Sequence, residues 1–137
     1  MNYFIDEGAY KPEYAHKDDA GMDLKTPKTI RVNAHSSAVI DTGVHVEIPK
    51  SCVGFLKSKS GLNVKHGIVS EGVIDCGYTG SIVVKVYNHS NSDYVFNAGD
   101  KITQLVVLPC LTGISLTEVD SFSDTDRGAE GFGSTGK

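Results

Sequence analysis

An aspartate and a tyrosine three residues apart, set among glycines in GVIDCGYTG (72–80), are the side chains of this sequence best suited to chemistry. Gly72, Gly77 and Gly80 permit a tight hairpin whose backbone can approach a ligand. From such a constrained loop the Asp75 carboxylate can act as general base toward water, and Tyr78 can offer a ring face to a sugar or base. The same residue types also suit a structural role, with Asp75 capping a turn and Tyr78 filling the core. In KSKSGL (57–62), backbone amides with Ser60 and Lys59 can cradle phosphate oxygens, and a helix beginning at Ser60 would aim its positive end at them. A solvated turn with a serine cap is the alternative there. DDAGMDL (18–24) ends on Asp23 and suits either a hard divalent cation held through water or a surface turn. Gln104, polar within the apolar run of AGDKITQLV (98–106), is either a satisfied core amide or a ligand contact.

The segment DSFSDTDRGAEGFGSTGK (120–137) is rich in glycine, carries Arg127, and holds only two large apolar side chains, Phe122 and Phe132. So little buried surface cannot offset the entropy of ordering the segment, so alone it should be mobile. Glycine backbone, an arginine fork and an aromatic ring nevertheless suit a flat-based anion, which reads as an arm closing over a nucleotide; a frayed terminus is the plain alternative. GFGSTGK (131–137) matches the glycines and lysine of a phosphate loop, but without the Ser/Thr and helix that such a loop needs after its lysine, that mechanism is not expected here. His16, His35, His45, His66 and His89 show neither metal spacing nor a nucleophile partner.

The elements that must position these residues are short strands. Residues 29–33, 37–41, 44–48, 52–56, 81–87, 101–108 and 114–119 are rich in β-branched and aromatic types, with period two clearest at Val44, Val46 and Ile48. Gly43, Pro49, Gly54, Gly80, Gly99 and Pro109 punctuate them, and only 60–66 reads as a helical turn or two. Many short strands at close spacing predict an all-β sandwich, jelly roll or small barrel over 1–119, followed by the arm over 120–137.

At 137 residues the chain is one domain, and its net charge of -4 argues against a general nucleic-acid binder. Cys52, Cys76 and Cys110 are far apart and odd in number, which predicts free thiols in a reducing, cytoplasmic setting and no structural zinc. The first residues lack the basic-then-apolar order of a signal peptide, and no run is long enough to span a membrane.

Taken in order, AGMDL, SKSGL, GVIDCGYTG, AGDKITQLV and DRGAEGFGSTG resemble the five motifs of the trimeric deoxyuridine triphosphatases (dUTPases), over residues 20–136. The resemblance implies a β-clip or jelly-roll barrel, a homotrimer with a swapped C-terminal arm, active sites at subunit interfaces, and Mg2+-assisted hydrolysis of dUTP to dUMP and pyrophosphate. It implies that Asp75 activates the water attacking the α-phosphorus and that Tyr78 packs under the deoxyribose, leaving no room for a 2′-hydroxyl. The backbone of Gly72, Val73 and Ile74 would read uracil. Ser60 and Gly61, with Lys59 nearby, would contact phosphates, Asp23 would hold the metal through water, and Gln104 would bond near the α-phosphate. From the arm, Phe132 would stack on uracil while Arg127, Gly133, Ser134 and Thr135 grip the β- and γ-phosphates.

The chain departs from that pattern at three places. Lys59 stands where most members have arginine, exchanging a bidentate fork for a point charge. Glu130 replaces a glycine, adding negative charge beside the phosphates and implying weaker arm closure, and Gly77 occupies an often acidic position. A dCTP deaminase on the same fold would need a glutamate ten residues after Asp75, where this chain has Lys85. A non-catalytic nucleotide-binding protein is the other rival, against which Asp23, Asp75 and Arg127 all stand; a regulatory role through a protein partner is left open by the sequence.

Overall fold

The computed structural model describes residues 1–131, so Phe132, Gly133, Ser134 and Thr135 lie outside the described residues. Ten strands and one short helix follow in the order β1 (Tyr3–Ile5), β2 (Gly21–Lys25), β3 (Ile30–Val32), β4 (Ser36–Asp41), β5 (Val44–Val46), β6 (Cys52–Lys57), α1 (Ser60–His66), β7 (Ile68–Ile74), β8 (Val83–Asn88), β9 (Tyr94–Phe96) and β10 (Lys101–Pro109). Six of them form one curled antiparallel half-barrel in the order β2-β10-β6-β7-β8-β4, and the pairs β1-β5 and β3-β9 flank it. The all-β expectation holds.

Period two decides which side chains point inward. In β8, Val84, Val86 and Asn88 are buried while Val83, Lys85 and Tyr87 face out. They join Leu24, Val44, Leu56, Ile68, Ile82, Phe96, Ile102 and Leu105 in one core. Asn88 is tolerated there because its amide donates to Val32 O and Ser92 O, at 3.1 and 2.8 Å, and accepts from Ser90 N. Gly54 is required at the centre: a Cβ would come within 2.9 Å of Leu105 and 3.2 Å of Ile74.

The helix falls where the sequence places it, closed by Gly67 at φ 64 with its N–H on the Asn63 and Leu62 carbonyls. Three expectations need correction. Residues 114–119 form no strand: Ile114, Leu116 and Val119 are exposed, and with no edge among the described residues to pair against, β-branched composition alone does not hold an extended segment. Residues 21–25 are strand β2, not a surface turn, and Asp23 is only 2% exposed. Residues 72–80 are not a tight hairpin, because Gly72 to Ile74 end β7 and a wide turn precedes β8. Strands β1, β2, β7 and β9 go unread because each is brief or broken by glycine or charge.

Candidate active site

β10 brings three of the sequence motifs to one row of the sheet. Gln104 stands opposite Asp23 of β2 on one side and Lys57 of β6 on the other, and Lys57 stands opposite Glu71 of β7. The loop leaving Lys57 is fixed by hydroxyls: the half-buried Ser58 Oγ donates to Ser70 O at 3.1 Å and accepts from Ser70 N at 2.9 Å. Ser70 and Thr103 hydroxyls meet at 2.8 Å, Thr103 Oγ1 donates to Lys57 O at 3.1 Å, and Gln104 Nε2 reaches Ser58 O at 3.4 Å. Gln104 is half-buried, and a Cβ on Gly21 would lie 2.5 Å from its Oε1, so the glycine of AGMDL makes room for the amide.

Asp23 sits between two ammonium groups. Lys59 Nζ donates to Oδ1, and Lys101 Nζ lies 2.6 Å from Oδ2. Oδ2 nonetheless accepts no aligned hydrogen bond. Burial, the largest single influence, pushes the Asp23 carboxyl up, but the ammonium groups of Lys101 and Lys59 held against its oxygens together outweigh it and keep the group below the usual carboxylate range. Lys101 is a site residue that sequence reasoning misses. Three residues from Gln104, it should face the opposite side of a regular strand. A bulge between Lys101 and Thr103 returns it to the Asp23 face, and nothing in the composition announces a bulge.

Lys59 is therefore engaged as a counter-ion and is the N-cap of α1, contributing no side-chain cap. Ser60 is exposed at the first turn, and Gly61 has open space around its α-carbon.

Asp75 lies elsewhere. β7 pairs with β6 from Glu71 to Ile74, with Ile74 opposite Gly54, so Asp75 stands four residues along the strand from the Glu71 row. At about 3.3 Å per residue that is roughly 13 Å. β8 pairs with β7 only from Ile68 to Ser70, so among the described residues the β8-facing edge of Gly72, Val73 and Ile74 has no ladder partner. Those backbone donors and acceptors are available. Asp75 is exposed, and among the described residues its side chain makes no hydrogen bond or ion pair; its carbonyl accepts from Tyr78 N at 3.1 Å. Tyr78 is 45% exposed, not core, and its hydroxyl donates to Ser81 O at 2.9 Å. The ring lies over Gly80, where a Cβ would come within 2.5 Å of the phenolic oxygen.

One chain thus brings Asp23, Lys59, Ser60 and Gln104 together and leaves the Asp75–Tyr78 turn apart from them. Arg127 is exposed beyond the last strand, with Nε donating to Glu130 O at 3.1 Å. Lys85, where a deaminase would need its glutamate, points outward on β8 over the Tyr87 ring.

A family model described as dUTPase matches residues 8–136. The chain belongs to the dUTPase family. It is 40% identical over 135 residues to the deoxyuridine 5′-triphosphate nucleotidohydrolase of Clostridium acetobutylicum, covering 96% of this chain and 92% of that one. The corresponding protein of Gloeothece citriformis is 36% identical over the same shares. Among solved structures, the dUTPase of Staphylococcus bacteriophage 80alpha with dUPNHPP superposes at a TM-score of 0.91, with 31% identity over 99% of this chain and 98% of that chain. A mutant dUTPase of phage phi11 of S. aureus, described as coordinating a structural Mg(II) ion, superposes at 0.80 with 32% identity, covering 88% and 97%. Among the described residues no helix is long and apolar enough to cross a membrane.

Proposed function

We propose that this protein hydrolyses dUTP to dUMP and pyrophosphate, with its active site completed by a second and a third copy of the chain. Family membership over nearly the whole length supports the reaction. The separation of Asp75 from the Asp23 row supports the assembly: a general base must lie within hydrogen-bond reach of its water, and a strand distance of roughly 13 Å is too far for one chain to serve one α-phosphorus. A neighbouring copy's Asp23 row supplies the phosphate side and another copy's arm the lid, making a homotrimer with a swapped arm. The exposed apolar residues Leu111, Ile114, Leu116, Val119 and Phe122 would find cover on that neighbour.

In this reading the free edge of Gly72, Val73 and Ile74 recognises uracil. The 4-carbonyl of uracil accepts where the 4-amino of cytosine donates, so backbone groups set for one reject the other strongly. Close backbone excludes the methyl of thymine. Tyr78, pinned by Ser81 and seated over Gly80, fills the space that a 2′-hydroxyl would need. Asp75 takes a proton from water as its oxygen attacks the α-phosphorus, and pyrophosphate leaves in line. Ser60 and Gly61 donate to phosphate oxygens, Gln104 bonds near the α-phosphate, and Arg127 with the arm residues Phe132, Gly133, Ser134 and Thr135 closes over base and phosphates.

Mg2+ fits this site in one way. The two ammonium groups beside Asp23 disfavour direct coordination, and among the described residues no cluster of three or more ligand-type side chains is arranged for a metal. A water of a hydrated ion would reach Oδ2 only if Lys101 moved aside, because that oxygen is closed to solvent and lies 2.6 Å from the ammonium. Asp23 would hold the ion through that water, and the ion, carried by the triphosphate, supplies charge neutralisation. Free thiols at Cys52, Cys76 and Cys110 suit a cytoplasmic setting.

Pyrophosphate release from dUTP, dTTP, dCTP and UTP tests the reading. Turnover of dUTP alone, abolished in Asp75→Asn, is expected. An inert wild type would favour a nucleotide-binding role, and ammonia released from dCTP would favour a deaminase.

A further inference from the structure

His45, on β5, touches the turn that carries Asp75 and Tyr78, and the sequence assigns it no role. Its Nδ1 lies 2.8 Å from Thr79 O, its Nε2 lies 3.3 Å from the Asp6 carboxylate, and its ring stacks on Phe4 with centroids 4.1 Å apart. The side chain is 16% exposed. Both polar partners are pure acceptors, because a backbone carbonyl and an ionised carboxylate have no hydrogen to donate. Each ring nitrogen must bring its own proton to make its bond, and only the imidazolium has two. A neutral ring in either tautomer sets one nitrogen lone pair against an oxygen lone pair.

The far end of the turn is anchored separately. Ser81 Oγ donates to Asp41 Oδ1, Thr42 Oγ1 donates to Ile82 O at 2.8 Å, and Ile82 N donates to Val44 O at 2.8 Å. Among the described residues, His45 is the one side chain outside 75–80 that hydrogen-bonds into it. The titratable groups facing the ring are Asp6 after β1, Asp41 at the end of β4, and Tyr3 and Glu47, which line the hollow beside it with Thr79. The charged members of that set are carboxylates.

We propose that His45, as a doubly bonded imidazolium, is a positioning residue that fixes the Thr79 end of the turn so that Tyr78 and Asp75 meet the nucleoside together, and that substrate binding weakens when the ring loses a proton. This rests on reading 72–80 as the nucleoside-binding turn. The bond to the Thr79 carbonyl first, then the hydrogen bond and charge of Asp6, raise the His45 pKa above its ordinary value, against the opposing effect of burial. The clamp is therefore complete below the ordinary histidine value and is lost as pH rises through the raised one.

The test is kcat and KM for dUTP from about pH 6 to 9, in wild type, His45→Gln and Asp6→Asn, with the Gly80 amide followed by NMR across the same range. Wild-type KM should rise about three- to tenfold on the alkaline side while kcat changes less than about twofold. His45→Gln should show the higher KM throughout and lack that limb. Asp6→Asn removes the charge and can turn an amide N–H to a neutral Nε2, so the limb should move to lower pH and shrink; this variant decides the matter if His45→Gln does not fold. The Gly80 amide, which follows the Thr79 carbonyl, should titrate with the His45 ring. The same limb in His45→Gln, or a Gly80 amide blind to the ring, would overturn the proposal while leaving dUTP hydrolysis intact. No turnover of dUTP at any pH would instead remove the functional reading and this role with it.

Discussion

The two halves of the candidate site are built in opposite ways. Around Asp23 everything is closed: a carboxylate 2% exposed, two lysines paired to it, and a floor of bonded hydroxyls from Ser58, Ser70 and Thr103. Around Asp75 everything is open: an exposed carboxylate with no partner among the described residues, a half-exposed tyrosine, and a strand edge without a ladder. Charges that hold a loop in place can be consumed by one another, whereas a base and a base-reading edge must stay free until substrate arrives. The closed half is built to stabilise this chain, and in the proposed assembly the open half is completed by a nucleotide and a neighbour.

The sharpest way to break that contrast is Asp75→Asn. It should lower kcat by about 10²- to 10⁴-fold while leaving the melting temperature unchanged, because the lost charge is exposed and unpaired. A thermal scan alongside pyrophosphate assays measures both, and a large drop in melting temperature would mean that the open half is structural after all. Arg127→Ala should lower kcat/KM about ten- to hundredfold, the value of a charge-assisted fork on phosphate. Truncation after Ser121 should cost turnover at least as heavily yet leave unfolding cooperative, since the last strand ends at Pro109 and residues 120–131 are exposed.

The closed half should answer in stability instead. Asp23→Asn leaves two ammonium groups facing each other and should cost about 2 kcal/mol in urea unfolding, less than a fully buried pair because both lysines keep part of their side chains in solvent. The sign with pH follows from the lowered Asp23 pKa. Its contribution is complete above the ordinary carboxylate value, near about 4, and is lost as pH falls through the lowered one, so Asp23→Asn should lose part of the acid limb of stability. Smallest of all, Gly80→Ala should push the Tyr78 ring aside and raise KM about threefold with little change in kcat. An unchanged KM would show that the ring does not need its seat.

Much of this was legible in residue order. β-branched and aromatic composition, alternating most clearly at Val44 to Ile48, marks β3, β4, β5, β6, β8 and β10, and Gly67 marks the end of a helix that starts at Ser60 as expected. The motif residues Asp23, Lys59, Ser60 and Gln104 do converge. What sequence cannot carry is pairing. The burial of Asp23 depends on β10 lying beside β2, the inward turn of Lys101 on a bulge, and the open edge at Val73 on where β8 stops pairing. The apolar run 114–119 shows the converse: composition proposes a strand, and no edge among the described residues accepts it.

The central claim is that one site draws Asp75 and the Ser60 phosphate side from different copies, and mixed assembly tests it most directly. Asp75→Asn removes the base, and Ser60→Glu sets a negative charge against phosphate at a helix start that tolerates it. Each should be inactive alone. Unfolded together and refolded, the pair should recover a substantial fraction of wild-type turnover, because some sites then combine an intact Asp75 with an intact Ser60. A mixture as inert as its parents, though assembled to the same size as wild type, would contradict the account.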